Sequence, residues 1–374
     1  MTASTERLSP NLLYTADEDL LRDTVRTVLA KNCDWPSVLA LTESDDAINA
    51  ALWHKLAVEV GATALPLPEN VGGASATWRE SAVVLEELGR AVAPVPYLGS
   101  AVVATVLLQE IGASELLAGL ASGETIAAVV VPAGTPWFRP VPQTVTVSGS
   151  TLTGTVVSVA DATAADLLLV PVGDDIYAVD PSGAGVRRTP VVSLDETRPL
   201  VDIEFDSASA ESIGDSADAI AAALRAGTAM LASEQLGLSE HCLTATVEYL
   251  SDRRQFGRVL GSYQALKHRL AQLWVDVNQA RAAARYAADC LASGGHDLDV
   301  AAAVAHSWCS EVAAHAAEEY VQLLGGIGFT WESPAHLYLK RAKSSMLLFG
   351  GPDVHRTYLA GLIDLPLPGV ESVR

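Results

Sequence analysis

The spacing of apolar residues changes twice along the chain. Up to about residue 122 the pattern is helical. Thr15 is placed to cap a first helix, with Asp17, Glu18 and Asp19 in its first turn, where carboxylates suit the helix dipole. A Pro/Gly-rich break follows at Leu65-Pro-Leu-Pro-Glu-Asn-Val-Gly-Gly73. Trp78 to Arg90 then carries Val83, Val84, Leu85 and Leu88 at helical spacing, with Glu86 and Glu87 between them, and Pro94 and Pro96 end it. Ser100 to Leu120 resumes a helical pattern. Near Glu124 the period shortens. Thr125 to Val131 is a β-branched run, and Val145, Val147 and Leu152 alternate with polar residues around Ser148-Gly149-Ser150, a hairpin signal. Leu167–Val172, Ile176–Val179, Val186–Val192 and Val201–Phe205 complete a strand-rich stretch of barrel or sandwich type.

From about Asp215 the helical period returns. Leu266, Leu270, Leu273, Val277, Ala280, Ala284, Ala287 and Leu291 form a four-three stripe that Gly294-Gly295 breaks. Val300, Val304, Trp308, Val312, Ala316, Tyr320 and Leu324 follow as an i,i+4 ridge. The plain reading of both is bundle core. The pattern predicts an α+β multidomain chain: an N-terminal helical domain over 1–122, a middle β-barrel or sandwich domain over 123–212, and a C-terminal four-helix-bundle-like domain over 213–374.

Composition narrows the partners. A formal charge of −21 disfavours nucleic acid and anionic membranes. The N-terminal segment lacks the apolar stretch of a signal peptide, and no uncharged run has membrane-spanning length, so a cytoplasmic protein is expected. The four cysteines, Cys33, Cys242, Cys290 and Cys309, form no CxxC pair and are expected buried and reduced.

Three segments could carry chemistry. In Ser251-Asp-Arg-Arg-Gln-Phe-Gly257, followed by Gly261-Ser-Tyr-Gln-Ala-Leu-Lys-His268, adjacent arginines and an aromatic could grip a pyrophosphate and stack on a ring. The alternative is a helix end whose arginines offset the dipole. Tyr320-Val-Gln-Leu-Leu-Gly-Gly-Ile-Gly-Phe329 exposes backbone N–H groups after a long helix, or is simply a turn. His336-Leu-Tyr-Leu-Lys-Arg-Ala-Lys343 and Phe349-Gly-Gly-Pro-Asp-Val-His-Arg356 imply an irregular loop between helices. No GxSxG elbow, Walker loop or HExxH is present, and Glu311 with His315 has no matching pair for a di-metal site.

In this order and at these separations the three segments resemble the acyl-CoA dehydrogenase family. Leu67-Pro-Glu-Asn-Val-Gly-Gly73, Val84-Leu-Glu-Glu-Leu-Gly89 and Gly325-Gly-Ile-Gly-Phe-Thr-Trp-Glu332 extend the resemblance over nearly the whole chain. It implies FAD as cofactor, an acyl-CoA thioester as substrate, electron-transfer flavoprotein or another acceptor, and a tetramer in which each FAD lies between two subunits. Arg253, Gln255 and Phe256, with Gln322, Gly325 and Gly326, would contact the ADP half. The family's catalytic glutamate sits in one of two places, and here those positions hold Gly227 and Gly350, beside Phe349. Glu234 is two helical turns from Gly227, and Asp353 follows the loop; either acid would have to be recruited by an altered backbone. The flavin-ring elements are reduced as well, to Pro132-Ala-Gly-Thr-Pro-Trp-Phe138 and Val156-Val-Ser-Val-Ala160.

Some actinobacterial members, notably those acting on steroids, pair a catalytic subunit with one that only completes the interface, and this chain resembles the second kind. The resemblance therefore implies the base-less partner in an α2β2 complex with a homologous catalytic subunit. The alternatives are a self-sufficient homotetramer with a displaced base and a non-enzymatic scaffold.

Overall fold

The computed structural model describes residues 12–365 apart from 45, 47 and 216. The N-terminal helices are α1 (Ala16–Asn32), α2 (Trp35–Thr42), α3 (Ala50–His54), α4 (Trp78–Ala91), α5 (Thr105–Glu110) and α6 (Ser114–Ser122). Thr15 caps α1 in a reciprocal box: its Oγ1 accepts from the Glu18 N–H, and the Glu18 carboxylate accepts from the Thr15 N–H. Thr77 and Glu80 repeat the device at α4. The expected helix over Ser100–Leu120 is broken. A π-helical stretch, Tyr97–Ala104, leads into α5, and Gly112 turns the chain with φ +71° before α6.

Glu86 and Glu87 of α4 are buried, and cations from neighbouring helices match them. Arg26 holds Glu87 through two bonds of 2.9 and 2.7 Å, and Arg22 Nη2 lies 3.0 Å from Glu86. Arg79 joins Glu18 of α1 to Asp289 of the C-terminal helices, each at 2.8 Å. Tyr14 lies between the guanidiniums of Arg22 and Arg285 and donates to Glu86. Removing the arginines would leave the buried carboxylates of Glu86 and Glu87 unmatched.

The strands are β1 (Ala127–Val129), β2 (Val145–Ser148), β3 (Thr151–Ala160), β4 (Leu167–Val172), β5 (Asp175–Val179), β6 (Val186–Val191), β7 (Leu200–Ser209) and β8 (Glu211–Asp215). They form two sheets, β2-β3-β7-β6 and β1-β4-β5-β8, with β1 parallel to β4 and the other pairs antiparallel. Leu152, Val156, Ile203 and Phe205 of the first sheet pack with Val130, Leu168, Val170 and Val179 of the second, so the fold is a sandwich rather than a barrel. The outer face of the second sheet, with Ala127, Val129, Leu169 and Ile176, joins the helical core. Burial on both faces explains why β4 reads as an unbroken apolar run. β8 is polar, Glu-Ser-Ile-Gly-Asp, and its pattern carries no strand signal.

The C-terminal part comprises α7 (Ala217–Asp252), the short hairpin of β9 (Arg254–Gln255) and β10 (Arg258–Val259), α8 (Gln264–Ser293), α9 (Leu298–Leu324), α10 (Ala335–Leu347) and α11 (Pro352–Leu362). The α8 stripe faces the core through Leu273, Val277, Ala280, Ala284 and Ala287, and Gly294 closes the helix with φ +63°. The expected ridge on α9 is buried through Val312, Ala316, Tyr320 and Leu324, with one exception and further burial beyond it. Val304 is exposed, while Ala301, Ala302, Ala303, Ala305, Ala313, Ala316 and Ala317 are buried on several sides, so α9 is the central helix rather than a one-faced one. Contacts from Gln235 to Ser310 and from His241 to Tyr320 show that α7 and α9 run parallel. All four cysteines are buried and free. Among the described residues no helix is long and apolar enough to cross a membrane.

Candidate functional site

The two positions at which the family resemblance places a general base lie to either side of Phe349, beside a crevice between the π-helical stretch, β1, α7 and the loop before α11. Gly227 of α7 faces the ring of Phe349. A Cβ built on Gly227 would lie 2.9 Å from Phe349 Cζ and 2.7 Å from Val103 Cγ2. Gly350 points elsewhere, towards Pro136 and His355. The residue that occupies the crevice is therefore Phe349, which is buried and has a left-handed backbone of φ +59°. What remains is a void of about 30 Å³ bordered by Leu98, Val131, Ala160, Asp161, Leu348 and Phe349. That is room for a water or two.

Three carboxylates come into question as acids for this crevice. Asp353 is exposed in the first turn of α11. Glu234 is buried and fully engaged. Its Oε1 accepts from Arg341 Nη1 at 3.1 Å and its Oε2 from Arg198 Nη2, while Arg341 Nε reaches Asp195 Oδ2 at 2.8 Å. Burial alone would push the Glu234 carboxyl up; the two guanidiniums overcome that and hold it below the ordinary range. It is the centre of a structural knot joining the β6–β7 loop, α7 and α10. Asp161 lies on the crevice wall, with φ +60°, and accepts from the Gly99 N–H at 3.1 Å. Burial raises its pKa against the pull of Arg198 and Arg341. No motif in the sequence marks Asp161 or this knot, because their members are scattered single residues with no shared spacing.

Behind Phe349 the loop is bracketed by two buried imidazoles. His306 Nε2 lies 2.7 Å from the Gly350 carbonyl oxygen and His355 Nε2 lies 2.9 Å from that of Phe349. Both carbonyls can only accept, so each imidazole donates its Nε2–H. The rings are 4.4 Å apart, and Trp137 and Phe138 pack against His355, with Tyr358 beside them. Burial, then His355, pushes His306 down to about 3. An unfolded histidine titrates near 6.5, so this folded value is depressed. The unfolded chain takes up a proton first as pH falls, and stability is lost below about pH 6.5 towards the folded value. Thermal unfolding of the chain between about pH 7.5 and 4 should show this acid limb. His306→Gln, which keeps an N–H for Gly350, should make it shallower; an unchanged slope would remove His306 from the account.

The residues expected at the ADP half lie at the far end of the bundle. Arg253, Arg254, Gln255, Phe256 and Arg258 are exposed on the β9–β10 hairpin, with Phe256 86% exposed at φ +51° and Arg258 stacked 3.6 Å over the Tyr263 ring. Gln322, Gly325 and Gly326 are exposed at the end of α9, followed by Phe329 and Trp331, 77% and 65% exposed. Because α7 and α9 are parallel, both sets share one end of the bundle. From Gly227 to Asp252 the helix rises about 38 Å at 1.5 Å per residue. That is longer than a dinucleotide bridges, so the crevice and the hairpin of one chain do not serve the same ligand.

These two regions fit FAD differently. Guanidiniums, an aromatic face and a glycine turn at the bundle end suit a pyrophosphate and an adenine. The void of about 30 Å³ beside Phe349 is too small for the three fused rings of an isoalloxazine, whereas Trp137 and Phe138, in the loop expected to hold that ring, line a separate cavity of about 450 Å³.

Comparison with known proteins gives a consistent picture. A family model described as acyl-CoA dehydrogenase, N-terminal domain, matches residues 15–124, and one described as acyl-CoA dehydrogenase, C-terminal domain, matches 217–362. The chain is 36% identical to acyl-CoA dehydrogenase IpdE2 of Mycolicibacterium smegmatis, over 90% of this chain and 95% of that protein. Among solved structures, it resembles the ChsE4-ChsE5 complex from Mycobacterium tuberculosis at 27% identity and a TM-score of 0.85, covering 96% of this chain and 100% of that one. A variant of the steroid ACAD Tcur3481-Tcur3483 is similar at 29% identity and a TM-score of 0.83, covering 93% of this chain and 98% of that one.

Proposed function

This chain belongs to the acyl-CoA dehydrogenase family, and from that premise we propose that it is the base-less subunit of an FAD-dependent enzyme assembled with a catalytic homologue as α2β2. The reaction is α,β-desaturation of an acyl-CoA thioester, with electrons passing to electron-transfer flavoprotein or another acceptor. The observation that carries the reading is the contact of Gly227 with Phe349: a glycine at each base position offers no carboxylate, and the ring leaves the crevice only about 30 Å³. The homologue supplies the base and the flavin-ring pocket.

The chemistry that FAD supplies when bound is acceptance of a hydride. This chain's part is to bind and orient. Arg253 and its neighbours on the hairpin would offset the charge of the pyrophosphate, and Phe256 would cover a face of the nucleotide. Gln322, Gly325 and Gly326 would approach from the adjoining helix end. Their exposure in a single chain agrees with a surface completed by another subunit. The paired names ChsE4-ChsE5 and Tcur3481-Tcur3483 support the same arrangement. The acyl group follows from the homologue's pocket, and a steroid thioester is the first to try, given the name of the latter relative.

The test is co-purification. The chain alone should be colourless, and the pair with a neighbouring catalytic homologue should be yellow with one flavin per pair; a chain that is yellow and active alone would sink the proposal. In the assembled pair, Arg253→Ala should weaken FAD retention by about 1.5–3 kcal/mol, as expected for a hydrogen bond to a charged group. Flavin content after dialysis measures it, and an unchanged content would make Arg253 a helix-end residue only.

A further inference from the structure

We propose that Phe349 is an intramolecular plug: its ring occupies a latent apolar binding crevice in this chain, and Gly227 is glycine in order to seat that ring. The inference rests on the function proposed above but is separable from it. Lacking a base and lacking a space are different properties, and only the second is at issue.

Several observations converge on it. Phe349 adopts φ +59°, a conformation that strains any residue bearing a side chain. Three hydrogen bonds hold it there. Its N–H donates to the Ala133 carbonyl at 2.7 Å, its own carbonyl accepts from His355, and the next carbonyl accepts from His306. The bonds come from the loop after β1, from α11 and from α9, so three separate elements fix the ring's direction. The ring then lies against Gly227 so closely that one added methyl group would clash with it and with Val103. The surrounding wall of Leu98, Val103, Val129, Val131 and Leu224 is apolar, with the Asp161 carboxyl as its polar exception, and the leftover void of about 30 Å³ adjoins the ring. Strain maintained by dedicated bonds, with an apolar ring delivered into a pre-shaped apolar wall, is what a plug requires.

Deleting the ring should merge its volume with the void. A largely apolar cavity of this kind, even with Asp161 on its wall, should take up a small apolar molecule such as benzene. Thermal unfolding of the full chain with and without saturating benzene reads this out. Phe349→Ala should show a rise in unfolding temperature with benzene, and the native chain none. An equal benzene response in both, or none in the alanine variant, would overturn the plug.

A second readout guards against collapse or misfolding of that variant. Gly227→Ala should lower the unfolding temperature of the native chain by several degrees. It should do so less in a Phe349→Leu background, because the clash with the ring is relieved there and only that with Val103 remains. Equal losses in both backgrounds would mean that Gly227 does not seat the ring. Flavin content of the assembled pair is the control on the broader reading. If the plug fails while the pair still turns yellow, the subunit assignment stands without it.

Discussion

Purified alone and supplied with FAD and an artificial electron acceptor, the chain should oxidise short, long and steroid acyl-CoA thioesters at least about 10²–10⁴-fold more slowly than a family member that carries its base, the typical contribution of general-base catalysis. Removing an α-proton needs an acceptor within hydrogen-bonding reach. Gly227 offers none, and Phe349 puts a hydrocarbon ring where one would stand. Glu234 cannot substitute, because both of its oxygens are held by Arg198 and Arg341. Asp161 is closer, on the crevice wall, but its burial favours the protonated form and the void beside it does not admit a thioester. Steady-state assays against that panel decide the matter. Turnover within about tenfold of an ordinary member, lost in Asp161→Asn or in Asp353→Asn, would show that the base has moved rather than vanished.

The largest stability effect should come from the knot around Glu234. Glu234→Ala leaves Arg198 buried without its ion-pair partner and Arg341 with Asp195 as its remaining one. Breaking a buried pair from one side typically costs about 3–5 kcal/mol, so the variant should unfold at markedly lower urea concentration. Replacing Glu234, Arg198, Arg341 and Asp195 together by apolar residues of similar volume should cost far less, since desolvation largely cancels the attraction of buried charges. If the single change were as mild as a surface substitution, the knot would not be what joins the sandwich to the bundle.

Much of this architecture could be read from the chain because each local signal agreed with its surroundings. The Thr15 and Thr77 caps, the hairpin at Ser148-Gly149-Ser150 and the Gly294 stop are written within a few residues of where they act. The features that escaped depend on contacts. β8 is an edge strand of polar residues paired in its sheet with β5, so its strand character comes from its neighbour. The π-helical turn at Tyr97–Ala104 keeps a helical pattern while changing its hydrogen bonds. The knot combines residues 195, 198, 234 and 341, which no period connects. At the candidate site, the sequence pointed to Gly227 and to the Phe349–Gly350 step. Which of that pair turned inward was decided by a left-handed backbone, and a phenylalanine there gives no sequence sign of it.

The alanine-lined central helix bears on how such a chain diverges. Ala302, Ala303, Ala305, Ala313, Ala316 and Ala317 are wholly enclosed, so any larger side chain there must push apart helices on several sides at once. Substitutions along α9 are therefore nearly closed to drift, while the sandwich surface and the hairpin remain open to it. Over many generations such a protein would keep the thickness of its bundle and the parallel alignment of α7 with α9, while residues outside that packed core were free to change.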